Sequence, residues 1–120
     1  MLKQTKKVES ARNDLMELNK SFHERKTLPD SFYKQLMEAG FRYRQCLLVS
    51  IFPDSGNTHC GKIIRQDGTV IEFDIDLDAA EFSLWEDVTD DFRQICEKNK
   101  HTRPWLKEVV AYNIFLRSEA

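Results

Sequence analysis

The chain has 120 residues, a formal charge of −2 and 41% hydrophobic residues, among them eight Phe, three Tyr and two Trp. That length fits one domain spanning 1–120, because most domains run about 100–150 residues. The aromatic content excludes a disordered chain, and no stretch approaches the ~20 apolar residues that cross a bilayer.

The start, Met1 to Lys7, is basic, but Val8, Glu9, Ser10 and Ala11 stand where a secretory leader needs an apolar run. A cytoplasmic protein with no membrane partner is therefore expected. Cys46, Cys60 and Cys96 are odd in number and widely spaced, without a C-x-x-C pair. They are expected to be buried, inert thiols.

Val8, Ala11, Leu15, Leu18 and Phe22 recur at spacings of three and four and predict a helix over 4–26. The stripe also has heptad form, so packing on the domain's own core competes with a second alternative, a structural or regulatory subunit that forms a homodimer through this helix. Leu28-Pro29-Asp30-Ser31 ends it. A second helix over 30–39 follows, with Asp30 or Ser31 as its cap, Phe32, Leu36 and Ala39 on one side, and Gly40 as its left-handed stop.

Three strands are expected next, over 43–53, 58–66 and 69–76. The first holds the apolar run Cys46–Phe52 and ends at Pro53. The second contains Gly61, a mark of a bulge or a close neighbour. Asp67-Gly68 signals a two-residue hairpin, which pairs Gln66 with Thr69 and His59 with Asp76. A four-residue loop over 54–57 pairs Pro53 with Thr58. One face then carries Leu47, Val49, Ile51, Ile64, Ile71, Phe73 and Ile75. The other carries Leu48, Ser50, Phe52, His59, Gly61, Ile63 and the acids.

Residues 78–86 read as a connector anchored by Phe82 and Trp85. Thr89 reads as the N-cap of a helix over 89–100, with Asp90 and Asp91 in its first turn. Pro104 opens a last helix over 103–118, although Val109–Leu116 is β-branched and aromatic enough for a strand. The expected fold is α+β: two N-terminal helices, a three-stranded antiparallel meander and two C-terminal helices.

The charge is segregated. Residues 1–65 hold twelve basic and seven acidic side chains, and residues 93–120 hold six and three. Between Arg65 and Arg93 stand ten carboxylates and no Lys or Arg. Such a field steers a charged partner. Glu72, Asp74, Asp76 and Asp78, at spacing two, lie side by side on an extended backbone. They read either as a charged edge strand guarded against aggregation or as an anionic docking surface. Nucleic acid does not fit that surface, because phosphate needs clustered Lys and Arg.

The chemistry of an enzyme is thinly represented. There is no G-x-S-x-G, Walker loop, G-x-G-x-x-G, EF-hand spacing or zinc motif. His59 with Asp74 and Asp76 supplies the alternative, a small enzyme or metal-dependent domain. The favoured expectation is a non-catalytic protein without cofactor or metal. It would bind a basic protein through Glu72, Asp74, Asp76, Asp78, Glu86 and Asp87, with Phe82 and Trp85 as aromatic anchors. A meander with flanking helices and an acid-rich edge resembles small bacterial immunity and inhibitor proteins in general style. That resemblance implies a basic toxin or nuclease as partner and transfers no residues.

Overall fold

The apolar stripe of the first helix reaches the core on both faces of the sheet. In the computed structural model, which describes residues 2–76, 78 and 81–119 and the side chains of 5–76, 78 and 84–117, α1 spans Leu2–His23. Leu15 and Phe22 are buried, and Ala11 and Leu18 pack against the core. The heptad-like stripe is thus taken up inside the domain. Arg25 (φ 62°) ends the helix in the left-handed conformation, with the Lys26 N–H donating to the Ser21 carbonyl at 3.0 Å.

Helix α2 (Asp30–Glu38) lacks a side-chain cap: Pro29 is its N-cap, and Asp30 instead faces Arg25 at 3.6 Å. Gly40 (φ 91°) stops it as expected, and the Phe41 N–H donates to the Leu36 carbonyl at 3.0 Å. Residues 43–45 form a 3-10 turn rather than the start of a strand.

The sheet has four strands, not three: β1 (Leu47–Pro53), β2 (Thr58–Ile64), β3 (Val70–Asp76) and β4 (Glu81–Asp87), antiparallel throughout and in that order. The expected connector is the fourth strand. Its alternation is weak, and pairing with β3 supplies what its sequence pattern lacks.

Both hairpin loops differ by one residue from their turn signals: the second is one residue longer, and the first, with Asp54 opposite Thr58, is one residue shorter. The Arg65 N–H donates to the Thr69 carbonyl and the Gly68 N–H to the Arg65 carbonyl, both at 2.8 Å, so Arg65 opposes Thr69 across a three-residue loop. Gly68 (φ 89°) takes the left-handed bulge position of that loop. In the first hairpin the Asp54 N–H donates to the Thr58 carbonyl at 2.9 Å.

A one-residue slip exchanges faces. Ile63, Gly61 and His59 therefore lie opposite Ile71, Phe73 and Ile75, while Ile64, Lys62, Cys60 and Thr58 lie opposite Val70, Glu72, Asp74 and Asp76. In β1 an irregularity between Leu48 and Ser50 adds a second change of face: Leu48 opposes Ile63, whereas Ser50 and Phe52 oppose Lys62 and Cys60. The expected faces are corrected accordingly. Ile51 stays with Ile71, Phe73 and Ile75 as expected and is joined there by Leu48, His59, Gly61 and Ile63, whereas Leu47, Val49 and Ile64 join Val70.

Each face has its own core. Leu48, Ile63, Ile71, Phe73 and Ile75 pack against Phe22, Leu28, Phe32, Tyr33 and Leu36. This is the aromatic face: the rings of Phe32 and Phe73 lie 4.9 Å apart, and the Tyr33 hydroxyl donates to the Phe22 carbonyl at 2.7 Å. On the opposite face Val49, Ile64 and Val70 are roofed by Phe92 and Cys96 of α3 (Thr89–Asn99) and by Val110, Ala111 and Phe115 of α4 (Lys107–Glu119). Residues 109–116 are helical, and α4 starts at Lys107 rather than at 103. Among the described residues, no helix is long and apolar enough to cross a membrane.

Candidate partner-binding surface

The roof over the second face stops short. At the end nearest Gly68, Val49, Ile64 and Val70 are fully buried beneath α3 and α4. Two residues farther along each strand the same face becomes half-exposed: Ser50, Lys62, Cys60, Thr58, Glu72, Asp74 and Asp76 are all only partly covered. Phe52 is 53% and Leu84 38% exposed.

Register arranges these side chains in rows across the strands. One row runs Ser50, Lys62, Glu72, Glu86. The next runs Phe52, Cys60, Asp74, Leu84. The last pairs Thr58 with Asp76, and Asp76 with Glu81. Glu72 and Glu86 are neighbours in the first row, with Lys62 on the other side of Glu72, and the middle row ends in an exposed apolar side chain on either side.

Several of the acids have partners within the domain. The Lys62 ammonium stands 4.0 Å from Glu72, and both side chains are about one-third exposed or less. The Asp78 N–H donates to Asp76 Oδ1 at 2.9 Å, and the Asn57 amide donates to the Asp78 carboxylate. Asp74 lies beside Cys60. Burial and then the hydrogen bond and charge of Asp74 push the Cys60 thiol up to about 11. Lys62 is the one basic side chain in these rows.

The expected site divides between the two faces. Glu72, Asp74, Asp76 and Glu86 share the uncovered half-face, and Asp78 sits in the turn at its far end. Trp85 does not belong there: it opposes Phe73 on the aromatic face, and its ring lies 5.9 Å from that of Phe32. Asp87 opposes Ile71 on that same aromatic face. Its carboxylate accepts the Thr89 N–H at 2.9 Å and the Thr89 hydroxyl at 2.5 Å, bonds that hold it below the usual carboxylate range. Thr89 is therefore anchored by Asp87 and is not itself the helix cap, a position occupied by Val88. The Phe82 backbone pairs with Ile75 in β4, and its side chain lies outside the described residues.

Phe52 and Leu84 were not among the expected anchors. Phe52 carried a signal, since it alternates with Ser50 on the acidic side of β1. Leu84 carried none until its segment became a strand.

The alternative constellation is dispersed. His59 opposes Ile75, so it points to the aromatic side, away from Asp74 and Asp76. Among the described residues, no group of three His, Cys, Asp or Glu side chains is arranged to hold a metal ion. Cys46 and Cys96 are buried, with thiols pushed up to about 11 chiefly by that burial, whereas Cys60 is only half-buried. No family model matches the chain, nor does any curated protein or solved structure.

Proposed function

We propose that the protein is a non-catalytic binding protein that docks a basic protein partner on the uncovered half of its second sheet face. One observation carries this reading: Glu72, Asp74, Asp76 and Glu86 converge on a solvent-facing patch whose middle row ends in exposed Phe52 and Leu84. A carboxylate field accelerates encounter with a cationic surface and makes it salt-sensitive, and apolar side chains at the patch supply contact area. The protonated state of the thiols at neutral pH and the orientation of His59 favour binding over nucleophilic chemistry.

A basic toxin is the partner class that fits this chemistry, and a nuclease fits best. Its catalytic cleft must attract phosphate, so carboxylates compete for the same cationic groups. The test is capture from native lysate by wild type and by the variant Glu72→Lys/Asp74→Lys/Asp76→Lys. Wild type is expected to retain a basic protein that elutes with salt, and the folded variant is expected to lose it. An unchanged set of captured proteins overturns the reading.

A further inference from the structure

We infer that the occupant of this patch is an amphipathic, basic α-helix of the partner, laid across the strands to complete the helical layer that α3 and α4 begin. The inference rests on the docking reading above and adds the partner's shape and residue pattern.

Dimensions support one helix. From β1 to β4 the floor crosses three interstrand spacings, about 14 Å. From the Ser50 row to the Thr58–Asp76 row it extends four residues of β3, about 13 Å. A helix with its side chains is about 10–12 Å thick, and 14 Å of it is about ten residues. The floor therefore seats a single helix of roughly three turns.

A wall is already in place. Ser50 ends the first open row and also lines a groove of about 350 Å³ whose other side is formed by Asp14, Leu15, Trp105 and Lys107. The groove joins the open floor to the edge of the existing helical layer. Its two charged residues are of opposite sign, so the wall adds shape without reversing the field.

The side-chain pattern specifies the partner's facing surface. Phe52 and Leu84 stand at opposite ends of the middle row, with Cys60 and Asp74 between them. A matching helix carries an apolar side chain near each end of one face and Lys or Arg in its central turn, within reach of Glu72, Asp74 and Asp76. An extended segment would instead add to one outer edge, that of β1 or that of β4, and meet only one of Phe52 and Leu84, which stand on opposite edge strands. Lys62 is the one floor residue that repels such a helix, and its pairing with Glu72 at 4.0 Å occupies a carboxylate the helix needs.

Two synthetic Leu/Lys peptides of one composition serve as probes: one with Leu at helical spacing, the other with Leu and Lys alternating as in a strand. Binding is read by fluorescence anisotropy and by amide chemical shifts of the labelled protein. The helical isomer is expected to bind at least about tenfold more tightly, and Phe52→Ser and Leu84→Ser each to weaken it by about tenfold. Lys62→Met is expected to strengthen it. All six substituted positions lie on the open half-face and none is buried, and a thermal melt of each variant checks that the fold is kept. If both isomers bind equally and both are lost in Glu72→Lys/Asp74→Lys/Asp76→Lys, the helix inference is overturned and acidic docking stands. Binding of neither peptide, or binding indifferent to that charge reversal, overturns the inference and removes support from the docking reading as well.

Discussion

The side-chain amide of Asn19 makes both hydrogen bonds to the backbone of Leu48. Its Nδ2 donates to the Leu48 carbonyl at 2.9 Å, and its Oδ1 accepts the Leu48 N–H at 2.7 Å. The same Nδ2 also reaches the Leu15 carbonyl at 2.9 Å. Asn19 is 5% exposed and is the buried polar side chain of the domain's described core. β1 is an edge strand, and an edge leaves backbone donors and acceptors without a ladder. One helical amide stands in for the missing neighbour strand at Leu48 and fixes α1 along that edge.

Asn19→Ala leaves the Leu48 N–H and C=O without these partners in a buried setting. The expected cost is about 2–3 kcal/mol, from roughly 1–3 kcal/mol per unsatisfied buried group. Urea denaturation with an unchanged slope checks it. Asn19→Asp keeps the acceptor and loses the donor, and is expected to be destabilising too. A loss within a few tenths of a kcal/mol for Asn19→Ala would mean that the edge does not depend on the clamp.

Gly61 is required by contact rather than by a special dihedral. A Cβ there would stand 2.6 Å from the Ser50 carbonyl oxygen and 2.7 Å from Phe73 Cζ. Gly61→Ala is expected to destabilise by about 1–3 kcal/mol, the usual range for overpacking a filled core. Phe73→Leu removes the ring but not the carbonyl, so the double variant is expected to recover part of the loss. A double-mutant cycle measures that coupling.

The thiols titrate high, and the sign follows from their environment. Burial and the neighbouring Asp74 disfavour the Cys60 thiolate, so alkylation is expected to be slow at pH 7 and to accelerate up to about pH 11. Asp74→Asn removes a negative neighbour, lowers the Cys60 value and speeds alkylation at pH 8. Cys46 and Cys96, raised from 9.0 to about 11, add stability that is complete below pH 9 and is lost as pH rises through 11. Mass-resolved alkylation and melts over that window read both effects. Faster labelling of buried Cys46 than of Cys60 would contradict the burial order.

Thr89 ties the last strand to α3. Its hydroxyl accepts the Val70 N–H at 2.9 Å and donates to Asp87. Thr89→Val is expected to cost about 1–2 kcal/mol, and Thr89→Ser much less, because it keeps the hydroxyl. The Asp87 value is depressed by these bonds, so its contribution is present above pH 3.8 and is lost as pH falls through the lower folded value. Melting temperatures between pH 5 and 2 should fall less for Thr89→Val than for wild type.

Much of the architecture was readable locally. The stripe Val8–Phe22, the stop at Gly40, the turn residues at 54–57 and 67–68, and the acids opening α3 each act within a few residues of themselves. Local steric and hydrogen-bond rules therefore located those elements. The fate of Trp85 and Leu84 was not readable. Their segment has too little alternation to declare a strand, and it becomes one through its ladder to β3.

The sequence by itself determined the α+β class, the order of the elements expected and the concentration of carboxylates between Arg65 and Arg93, because periodicity, turn chemistry and charge are properties of neighbouring residues. Only the tertiary structure decided which of those carboxylates share a surface. Side chains alternate with a period of two along a strand, so one extra residue in the loop before Thr69 and one irregularity after Leu48 moved whole sets of residues to the other face. Those two local insertions turned His59 and Ile63 away from the acids and, by offsetting each other in β1, kept Phe52 beside them.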